Sequence, residues 1–162
     1  MPLDPITVRL ATADDLAALQ SRATAPEAQS ALRHYERQEA GDYYFALAEQ
    51  GGTLLGHCVL DCTPGELCPE LKSLWVYPEF RRLGAGRALT RHLEGLARER
   101  GFVEIFLRVD PENAAAIPMY IGLDYTPTGD HLVVSYPSTD DTGAPVVTER
   151  LEAVYRKSLL AH

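Results

Sequence analysis

The sequence contains no long apolar segment. None of its hydrophobic runs approaches the roughly 18 consecutive apolar residues that a membrane-spanning helix requires. Its first residues, MPLDPITVRL, also lack the apolar centre of a secretory signal peptide. These two absences predict a cytoplasmic protein that is not inserted in a membrane.

Cysteine is scarce, with only three residues in the chain: Cys58, Cys62 and Cys68. An odd number cannot pair completely into disulfides, and the spacing does not match that of a zinc site. In a reducing cytoplasm such residues behave as small hydrophobic side chains. We therefore expect the cysteines to pack in the core, and we expect no metal site.

Basic residues are fewer than acidic ones, with 15 Lys and Arg against 23 Asp and Glu and a formal net charge of −8. Nucleic-acid-binding domains are typically basic, so this balance argues against a nucleic-acid partner. A negative surface raises the local concentration of cations. The composition therefore favours a cationic substrate.

The 162 residues, of which 46% are hydrophobic, suit one globular domain with a substantial core. Alternating apolar residues predict strands, and apolar residues at helical spacing predict helices. The order of these elements, with a strand–loop–helix–strand unit in the middle, predicts an α/β layer fold in a single domain over residues 6–160. The predicted strands are residues 6–10, two strands around a Gly51-Gly52 turn, residues 70–77 and 102–109, HLVVSY and RLEAVYRKSL. The predicted helices run from Thr12 to about Arg22, from Pro26 to about Gly41 and from Gly86 to Arg100. A short fourth helix, capped by Asn113, is expected through Tyr120, and Pro118 predicts that it is irregular or begins late.

Four arginines and two glycines lie together in FRRLGAGRALTRHL, residues 80–93. The segment follows a predicted strand and opens a predicted helix, an arrangement in which backbone N–H groups and the helix dipole converge on a bound anion. Glycine lets a ligand approach the backbone closely, while Arg81, Arg82, Arg87 and Arg91 add positive charge. The alternative is a tight turn followed by solvated arginines on a helix face.

The segment lacks a residue that each of two common phosphate-binding patterns requires, which argues against both patterns here. A Walker A loop requires a Lys followed by Ser or Thr, and this turn contains no lysine. A dinucleotide-binding fingerprint requires a third glycine at the position of Leu89. A diphosphate that needs no catalytic metal fits the turn better.

Two segments resemble the GNAT superfamily of N-acetyltransferases. The first, LWVYPEFRRLGAGRAL, is similar to the acetyl-CoA-binding pattern Arg/Gln-x-x-Gly-x-Gly/Ala through Arg81, Gly84 and Gly86. The second, NAAAIPMYIGLDY, is similar to the family's Asn-x-x-Ala-x-x-x-Tyr segment through Asn113 and Tyr120. The segments occur in the family's order and spacing. The resemblance implies a mixed, mainly antiparallel central sheet flanked by helices.

The resemblance also implies transfer of an acetyl group from acetyl-CoA, a cosubstrate that needs no metal, to an amine acceptor. The protein would act as a monomer or a homodimer. Asn113 would bond the pantetheine arm or cap its helix. The implied cofactor-binding residues are Leu74, Val76, Arg81, Arg82, Gly84, Ala85, Gly86, Arg87, Asn113, Ala116 and Tyr120.

Acetyl transfer to an amine requires a base for the amine, a donor for the developing oxyanion and an acid for the thiolate. An amine with a pKa of about 10.4 is protonated at pH 7, and presenting it neutral costs roughly 4–5 kcal/mol. Several family members have a catalytic glutamate at the position of Glu70, which makes Glu70 the candidate base; Glu66 is less favoured, and an ordinary strand-edge carboxylate is the alternative. The resemblance implies that the Val76 N–H polarises the thioester carbonyl and that Tyr120, otherwise a packed aromatic, protonates the departing sulfur.

One residue departs from the family pattern, because Asp124 stands where a glycine usually precedes the aromatic Tyr125. Aspartate enters the left-handed backbone region less readily than glycine. His57 and His92 fall within strand and helix patterns, and we interpret both as structural.

Other functions remain open at this point. The family sets its acceptor through segments that correspond to residues 21–42 and 125–147, and neither carries a motif that identifies one. The leading alternative is a non-catalytic acyl-CoA-binding module. A third possibility is a pure interaction domain.

Overall fold

The computed structural model describes residues 4–22 and 25–160, which form a seven-stranded sheet with helices packed on both faces. The strands are β1 (Ile6–Leu10), β2 (Tyr43–Gln50), β3 (Thr53–Asp61), β4 (Glu70–Val76), β5 (Glu104–Val109), β6 (Thr126–Thr139) and β7 (Pro145–Ser158). The helices are α1 (Leu16–Ser21), α2 (Ala25–Ala40), α3 (Ala85–Glu99) and α4 (Ala116–Gly122), with short 3₁₀ helices at Ala13–Asp15 and Pro78–Phe80.

The strands lie in the order β1-β2-β3-β4-β5-β7-β6. Neighbouring strands are antiparallel except for β4 and β5, which are parallel. Parallel neighbours need a crossover connection, and α3 supplies it. The prediction of an α/β fold with a mixed, mainly antiparallel sheet flanked by helices is confirmed.

The two faces of the sheet bury different sets of side chains. Along β5, the buried residues Ile105, Leu107 and Val109 belong to the same core as Leu89 and Leu93 of α3. The residues between them point to the opposite face because side chains alternate along a strand. That opposite face is covered near β2 by α1 and α2. Its smaller core consists of Ala11, Leu19, Ala31, Tyr43, Phe45, Leu47 and Val59.

Two of the three cysteines lie in the larger core, as predicted. Cys58 and Cys62 are 0% and 6% exposed, whereas Cys68 is partly exposed. Within residues 4–22 and 25–160, no group of His, Cys, Asp and Glu is arranged to hold a metal ion. Among the helices of the same residues, none is long and apolar enough to cross a membrane.

The last two strands are longer than the sequence pattern predicts. β6 continues past Pro137 and β7 begins at Pro145, so the connecting turn is only residues 140–144. β6 is an edge strand, and an edge strand tolerates proline because an outward-facing N–H has no partner in the sheet. β5 pairs only with residues 153–158 of β7, so the rest of β6 and β7 forms a two-stranded ribbon.

Helix α4 begins late, as Pro118 in the sequence suggests. Its first residue is Ala116, whose N–H donates to the side-chain oxygen of Asn113 at 3.1 Å. Pro118 is accepted in the first turn, where N–H groups lack intrahelical partners. Just beyond the helix, Asp124 adopts a φ of 74°, so aspartate occupies the left-handed conformation that glycine more commonly provides.

A buried carboxylate joins three elements on the α3 side of the sheet. Glu94 of α3 is 2% exposed and accepts hydrogen bonds from the Tyr125 hydroxyl at 2.7 Å and from the Lys157 ammonium at 2.9 Å. Burial and the neighbouring Glu94 carboxylate together raise the pKa of Tyr125. Each carboxylate oxygen thus has its own donor, and α3 is fixed to β7 and to the residue before β6.

Removing this carboxylate is expected to destabilise the fold. Glu94→Gln leaves the Lys157 ammonium without its anionic partner, and we expect the free energy of unfolding to fall by about 3 kcal/mol. Urea denaturation followed by circular dichroism measures this change. The control is Glu99→Gln at the exposed end of the same helix, expected within about 0.5 kcal/mol of the unsubstituted protein. Equal stabilities of the two variants would show that the buried network contributes nothing.

Candidate active site

β4 and β5 lie side by side for only a short distance. Their parallel pairing is limited to Glu70 with Phe106 and Leu71 with Leu107. Of the five remaining residues of β4, Lys72, Trp75 and Val76 pair with β3, and none of the five pairs with β5. The two strands therefore separate and leave an opening in the middle of the sheet.

A bulge in β4 accompanies this opening. Val59 pairs with Lys72, but His57 pairs with Trp75, so β4 has one residue more than β3 over this interval. Ser73, one of the residues in the bulge, has a φ of 56°.

The extra residue changes which side chains face α3. Before the bulge, Leu71 packs in the core on the α3 side, whereas after it Leu74 and Val76 pack against that same core. Without the bulge, strict alternation would place Leu71 and Leu74 on opposite faces. The bulge therefore directs Leu74 and Val76 towards α3.

The bulge also determines the direction of the backbone N–H groups. The Tyr77 N–H donates to the Leu55 carbonyl of β3 at 2.9 Å. Successive N–H groups along a strand point to opposite edges, so the N–H of Val76 points away from β3. It is therefore directed at the side from which β5 has separated.

The glycine turn lies directly after this end of β4. Gly84 precedes the first residue of α3 with a φ of 96°, and Arg82 is also left-handed, with a φ of 66°. The first hydrogen bond of the helix runs from the Ala88 N–H to the Gly84 carbonyl at 3.0 Å. The N–H groups of residues 85–87 therefore have no partner within the helix, as an anion site requires.

The four arginines of the turn are all exposed. Over residues 4–22 and 25–160, none of the four takes part in an ion pair. Arg81 is partly engaged, since its Nε donates to the Val76 carbonyl at 2.9 Å and its guanidinium lies 4.8 Å from the centre of the Trp75 ring. Arg81 thus fixes the turn to β4, while Arg82, Arg87 and Arg91 add positive charge near the helix start.

Three elements meet at Gly86. A Cβ added there would lie 3.1 Å from the Met119 sulfur of α4 and 3.9 Å from the Leu74 Cδ2 of β4. A larger side chain would therefore enter the space between α3, α4 and the end of β4. Ala85 is buried in the core on this side of the sheet, and Ala116 packs against the same core.

Tyr120 lies on this same side of the sheet. It is 8% exposed in α4, and its ring meets that of Tyr125 edge-on at 5.7 Å between centroids. Burial raises the pKa of Tyr120, with a smaller contribution from Cys58. Its phenol therefore stays protonated well above neutral pH.

Glu70 lies on the opposite face of the sheet, because it precedes the core residue Leu71 on β4. It is 8% exposed, and its Oε2 accepts a hydrogen bond from the Nε of Arg108 at 2.8 Å. Glu70 and Arg108 line a cavity of about 230 Å³ together with Asp61, Glu66 and neighbouring residues. Of the two carboxylates that the sequence singled out, Glu66 lies in the exposed wall of this cavity and Glu70 is nearly buried in it.

A second ion-paired carboxylate, that of Asp61, lines the cavity. The Asp61 carboxylate accepts a hydrogen bond from the Lys72 ammonium at 2.7 Å and lies 3.5 Å from the Arg37 guanidinium of α2. Burial opposes ionisation, but the hydrogen bonds from Lys72 and Thr63 lower the pKa of Asp61. This face of the sheet is thus lined by carboxylates held in ion pairs.

Sequence reasoning did not identify the charged partners on this face. Arg108 follows the buried Leu107 on β5, and Asp61 follows the buried Leu60 on β3. For Arg108 and for Asp61, the signal in the sequence was a charged residue at a strand position that alternates with buried ones. Nothing in the local sequence indicated that Arg108 would pair with Glu70 on another strand.

Two acetyltransferases are similar in sequence to part of this chain. The mycothiol acetyltransferase of Thermobispora bispora is 38% identical over 124 residues, which make up 67% of this chain and 41% of that protein. The [ribosomal protein bS18]-alanine N-acetyltransferase of Escherichia coli K12 is 37% identical over 70 residues, 43% of this chain and 47% of that protein. The chain thus spans less than half the length of either protein.

Solved structures share the fold over nearly the whole chain. The putative acetyltransferase yncA from Salmonella typhimurium, solved with its cofactor acetyl-CoA, is 21% identical with a TM-score of 0.69 and covers 97% of this chain and 95% of its own. An N-acetyltransferase from Staphylococcus aureus Mu50 is 16% identical with a TM-score of 0.68, covering 97% and 100%. At these identities the likeness concerns the fold. The model of the acetyltransferase (GNAT) family matches residues 11–124, and the chain therefore belongs to the GNAT family.

Proposed function

We propose that this domain, over residues 6–160, transfers an acetyl group from acetyl-CoA to an amine. One observation carries the proposal. The opening between β4 and β5 has the glycine turn and Tyr120 on one side of the sheet and the Glu70 cavity on the other. A thioester and an amine could therefore meet between the strands from opposite sides.

The residues of the turn fit the diphosphate of acetyl-CoA. Residues 85–87 present N–H groups without helical partners, Gly86 leaves the backbone accessible, and three exposed arginines lie nearby without ion pairs in the described chain. When bound, acetyl-CoA supplies the activated acetyl group. Leu74 lies on β4 and Asn113 precedes α4, the two elements that border Gly86, and both residues would hold the pantetheine arm.

Two groups act on the thioester side of the opening. The Val76 N–H points away from β3 and donates to the carbonyl oxygen, where negative charge develops during the reaction. The Tyr120 phenol is protonated at neutral pH and provides a proton to the departing sulfur. Both residues belong to the α3 side of the sheet, as does the glycine turn.

Glu70 acts on the amine side. Its Oε2 is held by Arg108, so the carboxylate has a fixed orientation in the cavity wall. It accepts a proton from the incoming ammonium group, directly or through a water molecule.

The acceptor that we propose is a cationic primary amine. Three of the four charged residues that line the cavity are carboxylates, and the chain as a whole carries a formal net charge of −8. The names of relatives provide specific amines to try, among them alanine of a protein and thialysine. The fold neighbours add an aminoglycoside.

A panel of amines tests the function directly. We expect CoA to be released from acetyl-CoA in the presence of an alanine-terminated peptide, thialysine or an aminoglycoside. At least one of these should exceed glutamate in kcat/KM by at least roughly tenfold, because carboxylates in the cavity repel an anionic acceptor. Binding of CoA in a calorimeter without turnover of any amine would instead indicate the non-catalytic module. Failure to bind CoA would indicate an interaction domain.

Substitution of Gly86 tests the diphosphate site. We expect Gly86→Val to raise the Kd for CoA by at least about tenfold, because the side chain would block access to the helix start. Isothermal titration calorimetry measures the Kd. The matched control is Gly95→Val in the same helix, where an added Cβ meets no atom within 4 Å. A folded Gly86→Val protein with unchanged affinity would rule out this site.

The pH dependence of kcat separates the two proton-transfer roles. We expect Glu70→Gln to lose about 10²-fold in kcat at pH 7 and to recover as the pH rises towards the pKa of the amine, where free amine forms without a base. We expect Tyr120→Phe to lose about 10²-fold at every pH from 6.5 to 9.5. The raised pKa of Tyr120 keeps the acid protonated throughout this range, so its removal costs the same everywhere.

The control for both variants is Glu99→Gln, at an exposed position far along α3, which should keep the unsubstituted pH profile. Calorimetry should show nearly unchanged CoA affinity in Tyr120→Phe. A loss below tenfold in either catalytic variant would remove that residue from its role, and the two roles can fail independently.

A further inference from the structure

Two side chains of β3 bond to carbonyl groups at the bulge in β4. The Nδ1 of His57 lies 3.1 Å from the Ser73 carbonyl oxygen, and the Cys58 thiol lies 3.5 Å from the Lys72 carbonyl oxygen. A carbonyl can only accept, so His57 donates from Nδ1. A bulge disrupts the regular ladder locally, and these two side-chain bonds connect the bulged segment to β3.

β3 also adapts its backbone to the bulge. A Cβ at Gly56 would lie 2.3 Å from the Trp75 carbonyl oxygen and 2.8 Å from the Val76 Cα, so only glycine fits there. Gly56 is the residue that pairs with Val76. Gly56 therefore leaves room for the end of β4, and the next two residues of β3, His57 and Cys58, bond to the bulge.

The His57 ring is itself held by packing. It meets the Phe45 ring edge-on at 5.4 Å and lies 6.5 Å from the His34 ring of α2. His34 in turn bonds the Tyr43 hydroxyl at 2.5 Å, and burial lowers the pKa of His34 to about 4. A neutral, packed cluster on the α2 side thus fixes the imidazole that reaches Ser73.

We propose that His57 is a positioning residue for acetyl transfer: by bonding the Ser73 carbonyl it holds the bulge that directs the Val76 N–H into the opening between β4 and β5. The effect of His57 on turnover rests on the proposed function. The role of His57 in holding the bulge does not, because the hydrogen bond to Ser73 is present in the protein without a ligand. His57 acts through the backbone of β4 and not by contact with the reacting atoms.

A matched pair of variants isolates the hydrogen bond. Asparagine places an N–H donor near the position of the histidine Nδ1, whereas leucine has almost the same shape as asparagine and no donor. Both His57→Asn and His57→Leu lose the ring contacts with Phe45 and His34. We expect His57→Leu to have a kcat about tenfold below that of His57→Asn, with the Kd for CoA equal within about twofold.

A second measurement does not depend on activity. Hydrogen exchange by NMR in the ligand-free protein should show the Tyr77 amide, which bonds Leu55, exchanging at least about fivefold faster in His57→Leu than in His57→Asn. Amides of the β5–β7 ladder serve as the internal control and should be unchanged. His92→Phe, on α3, should match the unsubstituted protein in both measurements.

Equal exchange in the two His57 variants would overturn the proposal, whatever the enzyme does. Equal kcat values with different exchange rates would overturn the link to turnover. An unsubstituted protein that releases no CoA with any amine would contradict the proposed function, and the exchange comparison would still decide whether His57 holds the bulge.

Discussion

One extra residue in β4 is the constraint on which the arrangement of this protein depends. The residue changes the register against β3, places Leu74 and Val76 on the α3 side and points the Val76 N–H away from β3. β5 pairs with β4 only before this point. The opening in the sheet and the backbone donor at its edge thus lie at the same point of β4. A regular ladder at this place would close the gap with backbone hydrogen bonds and leave no room for a ligand.

The sheet keeps two sites of opposite charge apart in this acidic chain. The turn at residues 81–86 offers helical N–H groups and arginines without ion pairs in the described chain, whereas the cavity around Glu70 holds carboxylates in ion pairs. The sheet separates them, so the positive charge that favours a diphosphate and the negative charge that favours an ammonium group need not cancel. The net charge of −8 describes neither site by itself.

The parts that sequence predicted well were those encoded in short segments. The glycine turn, the helix after it and the hairpin at Gly51-Gly52 each depend on residues that are adjacent in the chain. The parts it missed depend on pairing between distant segments. The bulge is defined by register against β3, the Glu70–Arg108 pair joins residues 38 positions apart, and His57 meets Ser73 across 16 positions. The length of β6 was underestimated because Pro137 is a strand breaker in general but is acceptable at a sheet edge.

In the mechanism that we propose, the core around Tyr120 gives a reason for supplying a proton to the sulfur. In water a thiol such as that of CoA has a pKa near 8.5, so its thiolate leaves without much help. Cys58 lies in the same core as Tyr120, and burial raises the pKa of its thiol to about 12. A thiolate released into these surroundings would meet a similar penalty for its charge. In the mechanism that we propose, donation from the Tyr120 phenol would remove that charge, on the side of the sheet opposite to Glu70. The burial that raises the pKa of Tyr120 would thus also make the departing sulfur a stronger base, so the proposed donor and acceptor of this proton shift in the same direction.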